Sequence, residues 1–303
     1  MLKSMYSGIS GMKANQTKMD VVGNNVANVG TTSFKKSSTR FSDTLYQTSV
    51  YAQAPSDNIG GVNPYQVGIG TKVSGVFKNT VQGNIQTTGR SSDLAIDGDG
   101  YFKVQIGENK FAYTRDGSFN IDTNGNLVTA QGYKVVDTDN KPIEIPTEQD
   151  GRKVLAYTIS SEGNISFVLE SISDTDETPN ETPNAGENEE GKVDAYAGED
   201  NNAGEDNNTE GSIISQRLNI VVFRNPEGLE ALSSNLYGAT VNSGEPMENV
   251  QHGNVHQGSI EMSNVDLSEE FTDMIVTTRA FQASSKVITT SDELLQEIIN
   301  LKR

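Results

Sequence analysis

His252 and His256 stand four residues apart, the spacing that would turn two imidazoles toward a shared metal ion if the segment were helical. Gly253 lies between them, Gly258 follows, and no neighbour completes a ligand set, so they read as loop histidines. Asp137, Asp139 and Glu148 approach the acidic spacing of a calcium loop. Lys141 occupies a ligand position there, however, and Pro142 replaces the required glycine. Gly68-Ile-Gly70-Thr-Lys-Val73 opens like a dinucleotide loop and closes on valine where the third glycine belongs. Asp97 and Asp99 sit in a glycine turn, where aspartate serves the backbone. No nucleophile, base and orienting group can be assembled from these residues. The expectation is a protein that is not an enzyme, with no catalytic, cofactor-binding or metal-binding residues.

Composition narrows the classes further. A chain of 303 residues can bury a substantial core in one to three domains. Its formal net charge is −18, but 174–210 holds thirteen acidic residues against Lys192, a net of −12 that leaves −6 for the remainder. The acidity thus belongs to one segment, and phosphate neutralisation of nucleic acid would need a basic surface that is missing. Without cysteine there is no disulfide, thiolate nucleophile or cysteine-ligated metal. No stretch reaches membrane-spanning length, so no membrane insertion is expected. Met1-Leu-Lys-Ser-Met-Tyr-Ser-Gly-Ile-Ser10 lacks the apolar core of a secretory signal, which predicts export, if any, without a cleaved one.

The elements that organise the chain stand at its ends. Leu2, Met5, Ile9, Met12, Met19 and Val26 follow a four-three spacing interrupted by Gln16 and Gly23. Leu267, Phe271, Met274, Phe281, Ile288, Leu295 and Ile299 repeat it, with Thr278, Ser285 and Asp292 as polar interruptions. Such narrow stripes predict coiled-coil-like helices over about 4–29 and from Ser263–Asp266 onward, with Ser263 or Asp266 as N-cap. Adaptable methionines in the first stripe suit contacts between subunits.

The middle reads as β. From Thr31 the pattern loosens around Phe34, Phe41, Leu45 and Tyr46, and 54–70 reads as an extended loop. Short strands follow through Val73–Val81, Asn84–Thr88, Asp93–Ile106 and Ser118–Thr129, with Asn124-Gly125 as the strongest hairpin signal. They continue through Tyr133–Val136, Lys153–Ile159, Ile165–Leu169 and Leu218–Phe223, with a short helix through Leu229 and Leu232. Between them 171–211 contains the tandem Ala197-Gly-Glu-Asp-Asn-Asn202 and Ala203-Gly-Glu-Asp-Asn-Asn208, a composition expected to stay disordered. The fold class is α+β. Residues 1–72 with 255–303 form a helical assembly domain, 73–170 with 212–254 a discontinuous antiparallel β domain, and 171–211 an insert.

Met19-Asp-Val-Val-Gly-Asn-Asn-Val-Ala-Asn-Val-Gly-Thr-Thr-Ser-Phe-Lys35 resembles the N-terminal signature of bacterial flagellar hook and rod proteins. Glu261-Met-Ser-Asn-Val-Asp-Leu-Ser-Glu-Glu-Phe-Thr-Asp-Met-Ile275, Arg279-Ala-Phe-Gln-Ala283 and Thr289–Leu301 resemble the C-terminal one. Thr87–Phe102 and Tyr113-Thr-Arg-Asp-Gly-Ser-Phe119 look like the family's β motifs. The resemblance implies an inner tube of terminal helices, with Asn24, Asn25 and Asn28 at a helix end that sets Phe34 against neighbouring subunits. It implies export through the flagellar apparatus, polymerisation beneath a cap, and a place in the extracellular flagellum between rod and hook–filament junction proteins. The two ends look most like compact hook proteins, giving a curved, torque-transmitting hook subunit as first expectation. A distal rod subunit is the alternative, on the short body, and a secreted ligand-binding β module is the rival from another class.

Overall fold

A computed structural model of the chain describes residues 2–55, 60–107, 110–146, 148–149, 152–169, 213–248 and 250–301. The insert expected at 171–211 lies outside them. The two heptad stripes form α1 (Leu2–Ala27) and α2 (Leu267–Leu301), packed antiparallel. Asp266 is the N-cap of α2, its Oδ1 accepting from Ser268 N at 2.8 Å and Glu269 N at 3.4 Å. The glutamate half of a capping box is not formed, because Glu269 reaches Lys36 Nζ at 2.6 Å instead.

Between α1 and the β body runs a ribbon of which the sequence expectations held only the last strand, over Val73–Val81. Strands β1 (Ser37–Asp43), β2 (Tyr46–Val50), β3 (Tyr65–Gly68) and β4 (Thr71–Lys78) make one two-stranded ribbon. Its register runs from Ser37 opposite Lys78, through Asp43 opposite Thr71 and Tyr46 opposite Gly68, to Gln53 opposite Val62. At about 3.3 Å per residue the ribbon is on the order of 55 Å long. Its base lies along α1, where Asn25 bonds Ser37 N and O at 3.0 and 2.8 Å and Ser10 Oγ accepts from Thr71 N at 3.3 Å. The expected loop over 54–70 is therefore corrected: its last part is a strand arm.

The β body centres on β7 (Tyr101–Gly107), following β5 (Ile85–Thr87) and β6 (Leu94–Asp97) and paired with β8 (Lys110–Thr114). The sheet runs Glu230–Ala231, Leu236–Gly238, β8, β7, Lys134–Val135, Leu127–Val128, Asn120–Ile121, with Ile220–Val221 also on β7. The short helix expected through Leu229 and Leu232 is instead a 3₁₀ turn at Pro226–Gly228 leading into strand Glu230–Ala231. A second sheet joins Glu148–Gln149, Arg152–Ile159, Asn164–Leu169 and Ile213–Arg217. Successive residues of β7 point to opposite faces. Phe102 and Val104 enter the main core with Leu94, Ile96, Phe119, Leu127, Ile165 and Phe167, and Phe102 meets Phe119 edge-on at 5.2 Å. Tyr101 turns the other way, into a cluster with Tyr113, Phe223, Leu229 and Tyr237. Both faces of the central strand are thus covered, which fixes the body as a rigid block.

Candidate assembly surface

The α1–α2 contact is closed by small and polar side chains. Ser4 Oγ lies 3.4 Å from Ser291 Oγ, Lys18 pairs with Asp273 at 3.0 Å, and Asn25 donates to buried Glu270 at 3.1 Å. A methyl on Gly8 would stand 3.0 Å from Ile288 Cγ1 and 3.2 Å from Ser284 O. The inner face of α1 is thus Ser4, Gly8, Gly11, Lys18 and Asn25, one position away from the methionine stripe. Met5, Met12, Met19 and Val26 flank this contact half-buried, Ile9 is exposed, and the side chain of Leu2 lies outside the described residues. On α2, Met274, Phe281, Ile288 and Leu295 are half-buried, with Thr277, Ser284 and Ser291 on the same inner side. Leu267 and Phe271 turn to solvent, Phe271 by 50%. Small residues let the helices approach closely, with Ile288 against Gly8, while Ile9, Leu267 and Phe271 stay exposed at the flanks.

The helix end is fixed by its asparagines. Asn25, 1% exposed, holds Ser37 and Glu270, while Asn28 Nδ2 donates to Asn24 O and Oδ1 at 2.9 and 3.0 Å. Asn24 is exposed, and Phe34 is half-buried beside a buried ionic clasp. In that clasp Lys35 Nζ meets Glu261 Oε1 at 2.5 Å and Arg115 Nη1 meets Oε2 at 3.2 Å, all three side chains being 5% exposed or less. Gly83 N donates to Glu261 at 2.8 Å, and Arg115 also bonds Gly100 O at 2.9 Å and Gly98 O. Gly98 and Gly100, at φ 116 and 153, present those carbonyls through backbone that side-chained residues rarely adopt. Burial lowers the Lys35 pKa and the Glu261 carboxylate counters it. One carboxylate thus joins the exit of α1, the β body and the entry to α2. No charge pattern announced it, although each of the three lies inside a quoted family motif.

Beyond Ser10 the ribbon leaves its support. Leu45, Tyr51 and Tyr65 are 80%, 76% and 61% exposed, and Tyr46, Val50 and Val62 are exposed as well. A lone two-stranded ribbon is marginal in water, so apolar residues on both its faces suit coverage by other chains. The chemical candidates assemble nothing comparable. His252 Nδ1 lies 2.7 Å from Gly253 O, His256 Nε2 lies 3.7 Å from Asp97 Oδ2, and Asp137 Oδ1 accepts from Thr138 N and Arg217 N. Among the described residues no three potential metal ligands cluster, and no helix is long and apolar enough to cross a membrane.

Comparison with known proteins matches three parts of this architecture. Residues 5–35 match the family described as flagella basal body rod protein, 95–167 the flagellar hook protein FlgE/F/G D1 domain, and 256–301 the flagellar basal body rod FlgEFG protein C-terminal. The chain is 42% identical to the flagellar basal-body rod protein FlgG of Bacillus subtilis (strain 168) over 308 residues, covering all of both. It is 36% identical to the protein of the same name from Borreliella burgdorferi, again over 308 residues and the whole of each. The flagellar hook protein FlgE of that bacterium is 30% identical, also over the whole of both chains, in an alignment stretched to 443 residues.

Proposed function

This chain belongs to the bacterial flagellar hook and basal-body rod protein family, a structural and non-enzymatic component of the flagellum, and from that membership we propose that it is a subunit of the distal rod. The form of the two terminal motifs favoured a hook. The observation that supports the rod is co-linearity: rod relatives align end to end at nearly the length of this chain, whereas the hook relative requires an alignment far longer than 303 residues. The fold agrees in mechanical terms. A hook must let contacts slide as it turns, whereas the Lys35–Glu261–Arg115 clasp locks the helix pair to the β body. A subunit with a fixed internal angle suits a straight shaft.

In this reading 1–72 with 255–303 form the assembly part. Met5, Ile9, Met12, Met19, Val26, Leu267 and Phe271 face neighbouring copies, while Phe281, Ile288 and Leu295 hold the pair together. The β body of 73–170 with 212–254 packs outside. The chain leaves through the flagellar export apparatus and polymerises beneath a cap, between proximal rod and hook. Electron microscopy of basal bodies from a strain lacking the gene tests this. Truncated rods without hooks are expected, and complete rods lacking only the hook would return the assignment to the hook.

A further inference from the structure

The last two turns of α2 carry an exposed apolar edge. Leu294, Ile298 and Leu301 recur at four-three spacing and are 52%, 48% and 82% exposed. Ser4 is level with Ser291, so these turns run past Leu2, the first described residue of α1. At the opposite end of the same helix lies an open cavity of about 550 Å³, between the exit of α1, the linker after β4 and the entry to α2. Val29, Val81, Val265 and Leu267 supply its apolar lining among polar side chains that include Gln82 and Asn84, and Val81 is 65% exposed. Its walls are held in advance of any occupant. Asn264 Nδ2 donates to Asn79 O and Val81 O, both at 2.9 Å, and its Oδ1 accepts from Lys36 N at 2.7 Å.

We propose that the α2 tip of one copy docks in this cavity of the next, a head-to-tail contact between identical subunits. The proposal rests on the reading of the chain as a polymer subunit and adds the surface that joins successive copies. A second copy is the occupant that the observations select. Plug and socket sit at opposite ends of one 35-residue helix, about 50 Å apart, so each subunit offers both. Of the charged side chains at the cavity, Lys36 pairs with Glu269 at 2.6 Å, which leaves Asp266 as the carboxylate toward Lys302 and Arg303, next to Leu301 in the sequence. Such a heterologous contact does not close on itself and grows an open filament, with an axial step on the order of the helix length.

The absence of cysteine makes the test direct. Ile298→Cys and Val81→Cys are introduced singly and together into the full chain, and basal bodies from those cells are mildly oxidised and run on a denaturing gel. A disulfide needs Cβ atoms about 3.5–4.5 Å apart, so only docked copies cross-link. The double variant is expected to give a ladder of covalent oligomers that neither single variant gives. Intact rods containing the double variant without a ladder would overturn the docking and leave the rod assignment standing. A ladder found in hooks instead of rods would support the docking and overturn the rod assignment.

Discussion

Replacing Glu261 by glutamine is the sharpest perturbation of this fold. The carboxylate is 1% exposed and bonds Lys35 Nζ, Arg115 Nη1 and Gly83 N. Removing its charge leaves two buried cations without an anion, a change that costs about 3–5 kcal/mol. Against a total stability of about 5–15 kcal/mol this is a large fraction. With a urea dependence of about 2 kcal/mol per molar, the unfolding midpoint should fall by about 1.5–2.5 M. Near-ultraviolet circular dichroism reads it, because Tyr101 packs against Arg115 with the guanidinium 5.5 Å from its ring centre. The sign with pH is also fixed. The Lys35 pKa is already lowered by burial, so between that value and 10.5 the unfolded chain binds more protons than the folded one. Stability in that window rises with pH, and loss of the carboxylate widens the window by lowering the folded value further. Glu261→Gln should therefore lose less at about pH 9 than at about pH 7, and Lys35→Met in the same chain should restore part of the loss. A midpoint shift under about 0.5 M, or a deficit that deepens toward pH 9, would refute the clasp as a structural lock.

Gly8→Val should push Ile288 and the Ser284 carbonyl away, destabilise the helix pair by about 1–3 kcal/mol and block polymerisation in sedimentation assays while the β body stays folded. Leu45→Asp and Tyr51→Ser, on the free part of the ribbon, should change monomer stability by about 0.5 kcal/mol or less yet impair assembly, and normal polymers from both would remove the ribbon from the interface. Burial raises the pKa values of Tyr101, Tyr113 and Tyr237, so the folded chain keeps protons that the unfolded chain loses above about pH 10. Stability should fall above that pH, and a tyrosinate absorbance titration should show these three ionising later in the folded chain than in the unfolded one. Deleting 178–210 removes ten acidic residues and Lys192 and should leave polymerisation intact by electron microscopy.

Legibility in the sequence followed the local strength of each signal. Heptad spacing placed α1 and α2 within a few residues, and Asn124-Gly125 marked a real hairpin, with Ile121 opposite Leu127 and Gly125 at φ 81. Of the ribbon only β4 was legible, as the strand over Val73–Val81; β1 to β3 were missed because bulges at Arg40/Phe41 and between Thr48 and Val50 shift the alternation, and because apolar residues on both faces erase the period of two. The heptad stripe on α1 names large apolar residues for contacts between copies, whereas the contact with α2 inside one copy runs one position away, through Ser4, Gly8, Gly11, Lys18 and Asn25. Large apolar residues dominate a periodicity count, while close approach depends on Gly8 and Gly11, which contribute nothing to it. The clasp was invisible for another reason: residues 35, 115 and 261 meet only through the tertiary fold, and no local pattern encodes such a meeting.

The antiparallel helix pair also sets a timetable. Ser4 must wait for Ser291, 287 positions later, before its face of α1 has a partner. At roughly 5–20 residues per second of synthesis, that interval is about 15–60 s on the ribosome, with a methionine-rich helix unsheathed throughout. The core of the body also waits for Ile220, Leu236 and Val255, and the partner face of α2 is made later still. A cell making this chain needs either a chaperone that shields the nascent N-terminal segment or a route that removes each copy before it sticks elsewhere.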